Sequence, residues 1–362
     1  MRDDLRTTMQ TTYLIAAGGT AGHVVPALAV ADALRTSGAR VVFIGGDRAE
    51  AEMVPRAGFE FHRIPVEGLD RSNPLRAIRA VAKSTAATFT AWKMIGRLRP
   101  AAVLGGGGYV AGPVGAAAVL RRVPLVLTEA DSHFGLTNRL LAPFASRVCL
   151  AFQLEGRRGQ RYIVTGRPIP PQADDARAAR ERFGLSDKDR VVVVVGGSLG
   201  ARSINEAALE AFADNSQLQL IHAAGERDLA KLEARPRGAN YQLFGYIDSF
   251  SEALLAADLV VSRAGGSVFE IAAAGRPAIL VPYPHAAADH QAGNARWMEQ
   301  AGAAIVLADQ ELSGARLASE VDRLLADPEL LAQMARASAS IARLDATGKV
   351  EAELRAAGGE RS

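Results

Sequence analysis

Short apolar, β-branched runs alternate with Ala-rich or amphipathic stretches along the whole chain. In the first half the runs fall at 13–17, 41–45, 101–104, 125–128, 148–152 and 162–164. In the second half they fall at 191–195, 219–223, 242–245, 259–262, 278–281 and 304–307. Most are continuously apolar rather than strictly alternating, as strands covered on both faces require. Strand–helix alternation of this kind predicts an α/β fold with parallel sheets. Between the halves, residues 166–175 carry Pro168, Pro170 and Pro171, which read as an extended linker. A charged helix over 176–183 follows it. Helical pattern runs from Ser313 to the C-terminus. The predicted domains are 1–167 and 168–345, with 346–362 a terminal helix that can pack back on the first.

Composition changes this picture little. At 362 residues the chain is long for one core and suits two. Hydrophobic residues make up 49% and charged residues 22%, an ordinary globular mixture. A net charge of +3 is too small to argue for nucleic acid. The single cysteine, Cys149, lies in an apolar strand and reads as a core thiol in a reducing cytoplasm. Asp3 and Asp4 precede a short apolar run, which argues against a signal peptide. Residues 101–120 carry no charge and are long enough to span a bilayer. Their run of glycines is a poor helix former, however, so a strand, a glycine loop and a helix are expected there instead.

Chemistry concentrates at the ends of the predicted strands. Gly18-Gly19-Thr20-Ala21-Gly22-His23 follows the first strand, and Gly196-Gly197-Ser198-Leu199-Gly200-Ala201-Arg202 follows the first strand of the second half. Each reads as a side-chain-free turn opening a helix, which offers backbone N–H groups to an anion. Two such turns suggest two similar α/β halves facing across a cleft. The first lacks the G-x-G-x-x-G spacing, and no clear acidic ribose ligand follows the second strand, so a dinucleotide site is not favoured. Pro26 is expected in the first helical turn. His23 is either a base near neutral pH or a loop histidine bonded to its own turn. Gly105, Gly106, Gly107 and Gly108, followed by Tyr109, form a second glycine loop, read as a ligand surface or as a tight turn. Glu129, Asp131, Ser132 and His133 stand after another strand, placed to grip sugar hydroxyls or simply to be solvated.

In the second half, Gly265, Gly266, Ser267, Val268, Phe269 and Glu270 follow a strand. Ser267 and Glu270 have the spacing of a capping box. The same geometry places a helix start against a diphosphate and a glutamate against ribose hydroxyls. His290 and Gln291 follow the next strand. Asp187-Lys188-Asp189 precedes a strand, the wrong end for a ligand, and no Cys/His cluster has metal spacing. Residues 71–99 hold Arg71, Arg76, Arg79, Lys83, Lys93, Arg97 and Arg99 and no acidic residue, interleaved with Phe89, Trp92 and aliphatic side chains. This segment reads as a surface for an anionic membrane or as a solvated basic face. No nucleic-acid module accompanies it.

Taken in order, these motifs resemble the MurG family of bacterial peptidoglycan N-acetylglucosaminyltransferases over nearly the whole chain. The motifs are Gly18 to His23 with Pro26; Gly105 to Tyr109 with Gly112-Pro113; Gly135-Leu136-Thr137-Asn138; Gly196 to Arg202 with Asn205; and Ser262 to Glu270. The resemblance implies a GT-B fold, two Rossmann-like domains with the active site between them. It implies inverting transfer of N-acetylglucosamine from UDP-N-acetylglucosamine to the C4 hydroxyl of the muramoyl sugar of lipid I, giving lipid II and UDP. No cofactor or metal is then required for the chemistry. It also implies a peripheral place on the cytoplasmic membrane face, with other cell-wall enzymes as candidate partners.

By position, the resemblance gives Gly19, Thr20, Ala21, Gly22, Asp131, Ser198, Ile247, Gly265 through Glu270, His290 and Gln291 to the donor. Glycines 105–108 and Tyr109 go to the acceptor diphosphate. His23 is the base, with Asp131 and Glu129 as competitors. The chain departs from the family pattern at Thr128-Glu129-Ala130-Asp131, at Leu199, at Pro170 where many members carry arginine, and in a stretch from Ser262 to Glu270 that is one residue short. Rival readings are another GT-B transferase acting on a glycolipid or natural product, a UDP-sugar 2-epimerase, and a non-catalytic nucleotide-sugar sensor.

Overall fold

The structure is a computed structural model; it describes residues 10–66, 74–197, 200–286 and 289–360, the side chains of 74–82 excepted. The chain forms two compact units, Met1–Pro170 with Asp345–Ser362, and Pro171–Leu344.

The first unit holds β1 (Thr12–Ala16), β2 (Arg40–Gly45), β3 (Glu60–Arg63), β4 (Ala102–Gly105), β5 (Leu125–Glu129), β6 (Arg147–Leu150) and β7 (Tyr162–Val164). They form one sheet in the order β3-β2-β1-β4-β5-β6-β7, with every pairing parallel. Successive residues of β1 serve opposite layers. Leu14 and Ala16 join Ile95, Val110 and Val114 on one face, and Tyr13 and Ile15 join Val24, Val30 and Leu34 on the other. Both faces are thus buried, which is why these strands read as continuous apolar runs.

The terminal helix Ala346–Ala357 belongs to this unit. Val350 and Leu354 are fully buried in the same layer as Tyr13 and Phe43. Its polar edge is tied by Arg147 to Glu353 at 3.1 Å and by Ser37 to Glu351 at 2.9 Å. Thr347 exchanges hydrogen bonds with the backbone of Ile169. The helical pattern predicted from Ser313 onward is interrupted, giving Gly314–Leu325, Pro328–Ile341 and Ala346–Ala357. Asp327 caps the second of these through the Leu330 N–H, and Pro328 suits a first helical position but could not continue the preceding helix.

The second unit holds β8 (Val191–Val195), β9 (Gln219–Ala223), β10 (Tyr241–Phe244), β11 (Leu259–Ser262), β12 (Ala278–Leu280) and β13 (Ala304–Val306), in the order β10-β9-β8-β11-β12-β13, again all parallel. Its core gathers Val192, Val194, Ile204, Phe212, Leu220 and Leu317. In each sheet the winding direction reverses beside the first strand, between β1 and β4 and between β8 and β11. Open α/β sheets bind ligands outside the strand ends at such a reversal.

Candidate active site

The first glycine turn leaves β1 at that reversal and enters helix Ala21–Thr36. Gly19 has φ 111°, which a side chain would strain. Its N–H donates to Glu50 Oε2 at 2.8 Å. Glu50 is fully buried, and its Oε1 accepts from the Gly46 N–H at 2.9 Å and from the Tyr109 hydroxyl at 2.8 Å. Burial alone would raise this carboxyl's pKa, but the hydrogen bonds from Gly19, Gly46 and Tyr109 outweigh it and hold the group below its usual range. So the Gly19 N–H is engaged by an internal carboxylate rather than offered to a ligand. The His23 and Val24 N–H groups donate to the Thr20 carbonyl at 3.0 and 3.3 Å, which leaves the N–H groups of Ala21 and Gly22, at the start of helix Ala21–Thr36, without an intrahelical acceptor. Glu50, which follows the second strand, thus holds the two loops together.

The second glycine loop leaves β4 on the other side of the reversal and meets the first. Gly107 and Gly108 have φ 92° and 74°. A Cβ on Gly108 would sit 1.8 Å from the Gly18 carbonyl oxygen, and one on Gly107 would sit 2.8 Å from His23 Nδ1. These glycines are needed so that the two loops and the His23 ring can touch. The structure thus brings together Gly18, His23, Gly107, Gly108 and Tyr109. Pro26 falls in the second helical turn, not the first, because the helix begins at Ala21.

The loop after β5 is held by its own residues. Glu129 Oε2 accepts from the Gly135 N–H at 2.8 Å and from Asn138 Nδ2 at 2.9 Å. Burial raises the Glu129 pKa, against the hydrogen bonds from Gly135 and Asn138. Its carboxylate is built into the loop, whereas Asp131 is only partly covered.

In the second unit, Gly200 has φ 73°, and a Cβ there would sit 2.1 Å from the Ala224 carbonyl oxygen. Ser198 and Leu199 lie outside the described residues. Under this loop Asn205 Nδ2 donates to the same Ala224 oxygen at 2.9 Å, and its Oδ1 lies 3.1 Å from His222 Nε2. His222 Nδ1 lies 2.7 Å from the Tyr241 hydroxyl. Burial pushes the His222 pKa down to about 4, so the ring is neutral, with Nε2 donating and Nδ1 accepting.

Arg263, at the end of β11, is buried and gathers the neighbouring strand ends. It donates to Asp309 Oδ1 at 2.6 Å, to Ser203 Oγ at 2.8 Å and to the Val281 carbonyl at 3.0 Å. Asn294 Nδ2 donates to the Ala264 carbonyl at 3.0 Å, and the Tyr283 N–H donates to Gln291 Oε1 at 2.9 Å. Gly265 faces Gln291 Nε2, 4.0 Å from where its Cβ would be. Glu270 stands in the first turn of helix Ser267–Ala273. The expected capping box is not formed: Gly266 is the N-cap, no side chain caps the helix, and Ser267 Oγ lies 3.3 Å from Ser262 Oγ. Ser267 is already helical, so it cannot reach around as a cap does. The Tyr246 pKa is raised by burial, then by Asp248 and Glu270, which puts Glu270 beside the loop that carries Ile247. Glu50 and Asp309 carried no local signal in the sequence, and Arg263 stood in the Ser262–Glu270 motif without its role being legible.

The N-terminal domain profile of glycosyltransferase family 28 matches residues 13–150, and its C-terminal domain profile matches residues 191–349. The chain belongs to glycosyltransferase family 28. A family 28 relative from Moorella thermoacetica is 42% identical over 350 residues, covering 91% of this chain and 94% of that protein. It is named UDP-N-acetylglucosamine–N-acetylmuramyl-(pentapeptide) pyrophosphoryl-undecaprenol N-acetylglucosamine transferase. The crystal structure of Acinetobacter baumannii MurG superposes with a TM-score of 0.74 at 30% identity, covering 96% of this chain and 99% of that one. The calicheamicin glycosyltransferase CalG4 shares the fold, with a TM-score of 0.68 at 21% identity over 95% of this chain and 98% of that one. The GT-B architecture of family 28 is therefore the architecture of this chain.

The basic segment forms helix Pro74–Leu98. Arg71 lies outside the described residues, as do the side chains of Arg76 and Arg79. Phe89 is 56% exposed and stacks on Trp92 with ring centroids 6.0 Å apart. Lys93 lies over the Phe89 ring at 4.4 Å and Arg121 over the Trp92 ring at 3.5 Å. Beside them an apolar groove of about 740 Å³ is lined by Phe89, Trp92, Tyr109, Leu120, Leu136 and Leu140. Among the described residues no helix is long and apolar enough to cross a membrane.

Proposed function

We propose that this glycosyltransferase moves N-acetylglucosamine from UDP-N-acetylglucosamine to the C4 hydroxyl of the muramoyl sugar of lipid I, giving lipid II and UDP. One observation carries the reading: in both sheets the glycine turns leave the two strands that flank the reversal of winding, where α/β folds bind phosphate-bearing ligands. The name of the Moorella relative supplies the substrates.

The second unit holds the donor. Glu270 accepts from the ribose hydroxyls, the Ile247 backbone meets uracil, and Gly265 through Phe269 and Ser198 line the diphosphate. His290 and Gln291 reach the sugar. The first unit holds the acceptor diphosphate on Gly105 through Tyr109. Thr20, Ala21, Gly22 and Asp131 meet the reacting sugars. His23 takes the C4 proton as that oxygen bonds to the anomeric carbon. The anomeric bond to the diphosphate oxygen breaks with inversion, and backbone N–H groups stabilise the departing UDP. Asp131 is the alternative base, since the Glu129 carboxylate already accepts from Gly135 and Asn138.

The exposed Phe89, Leu120 and Leu140, with cations stacked on the groove's aromatic rings, support a peripheral seat on the cytoplasmic membrane face. The decisive assay uses purified protein, radiolabelled UDP-N-acetylglucosamine and a short-chain lipid I analogue. Label must appear in the lipid product with stoichiometric UDP. Transfer to an aglycone but not to the analogue overturns the reading, and so does epimerised free UDP-sugar.

A further inference from the structure

Pro26 stands in the second turn of helix Ala21–Thr36. A proline has no N–H, so the carbonyl four residues earlier loses its helical donor. That carbonyl belongs to Gly22, the residue before His23. The guanidinium of Arg167 takes it up: Nη2 donates to the Gly22 oxygen. The same guanidinium donates through Nη1 to the Ala130 carbonyl at 3.3 Å, and Ala130 is the residue before Asp131. Arg167 is only 6% exposed. A guanidinium is costly to bury unless its donors are met. Its rigid fork can meet carbonyls on two separate loops at once, which the point charge of lysine does less well.

We infer that Arg167 is a positioning residue for sugar transfer, a clamp that holds the His23 turn against the Asp131 loop and sets the spacing of those two side chains. The clamp draws on three separate stretches of chain: the β1 turn, the β5 loop and the segment just past β7. It rests on the reading above, in which His23 and Asp131 meet the reacting sugars. Gly22 is the weakly held partner, because Pro26 has removed its internal donor. A bond from Arg167 to a carbonyl already satisfied within the helix would fix the turn less firmly.

The test uses the full chain as Arg167→Met, Arg167→Lys, Pro26→Ala and the double variants Pro26→Ala with each arginine change. Transfer to the short-chain lipid I analogue, UDP binding by calorimetry and thermal midpoints are measured on each. Misplacing reacting groups by about 1 Å can cost about 100-fold, so Arg167→Met is expected to lower kcat between about 10- and 100-fold with UDP affinity within about twofold of wild type. Arg167→Lys is expected to recover only part of this. Pro26→Ala restores a donor to the Gly22 carbonyl and is expected to recover about threefold of the loss in the double variant, a non-additivity that an unconnected pair would lack. In protein labelled with ¹⁵N-histidine, the His23 imidazole signals, assigned by His23→Gln, are expected to move in Arg167→Met while those of His222 stay. Should Arg167→Met not fold, the lysine variant and its Pro26→Ala double carry the same comparison. A folded variant with unchanged kcat and unmoved His23 signals overturns the clamp, and so do strictly additive Pro26 and Arg167 effects. A wild-type protein that transfers nothing to the lipid analogue overturns the functional reading instead, and the His23 signals then decide the clamp alone.

Discussion

The Gly19 N–H and the Tyr109 hydroxyl are joined through one carboxylate, that of Glu50, at 2.8 Å on each side. A turn that looked like an empty anion cradle in the sequence is partly filled from within. The carboxylate locks the β1 turn to the β4 loop before any substrate arrives, which removes an ordering cost from binding.

Replacing Glu50 by glutamine keeps its size but turns an amide N–H₂ toward donors. We expect a loss of about 2 kcal/mol of stability, the usual cost of buried donors left unmet, measured by urea denaturation at pH 7. The Glu50 pKa is depressed in the fold, so its contribution is complete above the unfolded pKa and fades as pH falls through the folded one. The gap between wild type and Glu50→Gln is therefore expected to narrow below the ordinary glutamate range. A gap that widens on acidification would contradict the carboxylate assignment.

His23 lies against Gly107 on the partner loop. Replacing it by alanine is expected to lower kcat by about 100-fold or more, the ordinary range for general base catalysis, with UDP affinity unchanged in calorimetry. A fall in UDP affinity with kcat retained would make it a donor contact instead.

Glu270 is expected to act only through the donor. Glu270→Ala is expected to weaken UDP binding by about tenfold, the value of one charge-assisted hydrogen bond pair. Deoxygenating the ribose of the nucleotide is expected to produce the same loss in wild type and little further loss in the variant. Unaltered UDP affinity in the variant would remove the contact.

His222 makes the second unit acid-sensitive. Its pKa falls from 6.5 to about 4 in the fold, so the unfolded chain binds more protons between those values. Its contribution is complete above pH 6.5 and is lost progressively toward pH 4, on the order of 3 kcal/mol in all. Denaturation midpoints followed from pH 7 to pH 4 are expected to fall more steeply in wild type than in His222→Asn. Parallel curves would show that the ring is not held neutral by the fold.

Much of this was legible in the chain. The strands of both sheets followed from apolar continuity, and the glycine loops from their places after strands. Strand β3 was missed because it is an edge strand, paired only with β2, and its residues Glu60, His62 and Arg63 are polar. The capping box at Ser267 failed because spacing alone does not fix where a helix begins. Glu50 and Arg167 stayed silent because their partners lie far along the chain: the Gly19 N–H and the Tyr109 hydroxyl are 31 and 59 residues from Glu50, and the Gly22 carbonyl is 145 residues from Arg167. Asn205 was visible as part of a motif, yet its bond to His222 depends on strand register that no local pattern encodes.

The helix Ala346–Ala357 also governs the order of events during synthesis. Val350 and Leu354 fill the layer that Tyr13 and Phe43 line beside Val30 and Leu34, so that side of the N-terminal sheet stays only partly covered until residues 346–357 leave the ribosome. The unit translated first is therefore the one completed last, and a fragment ending at Pro170 lacks its own final wall.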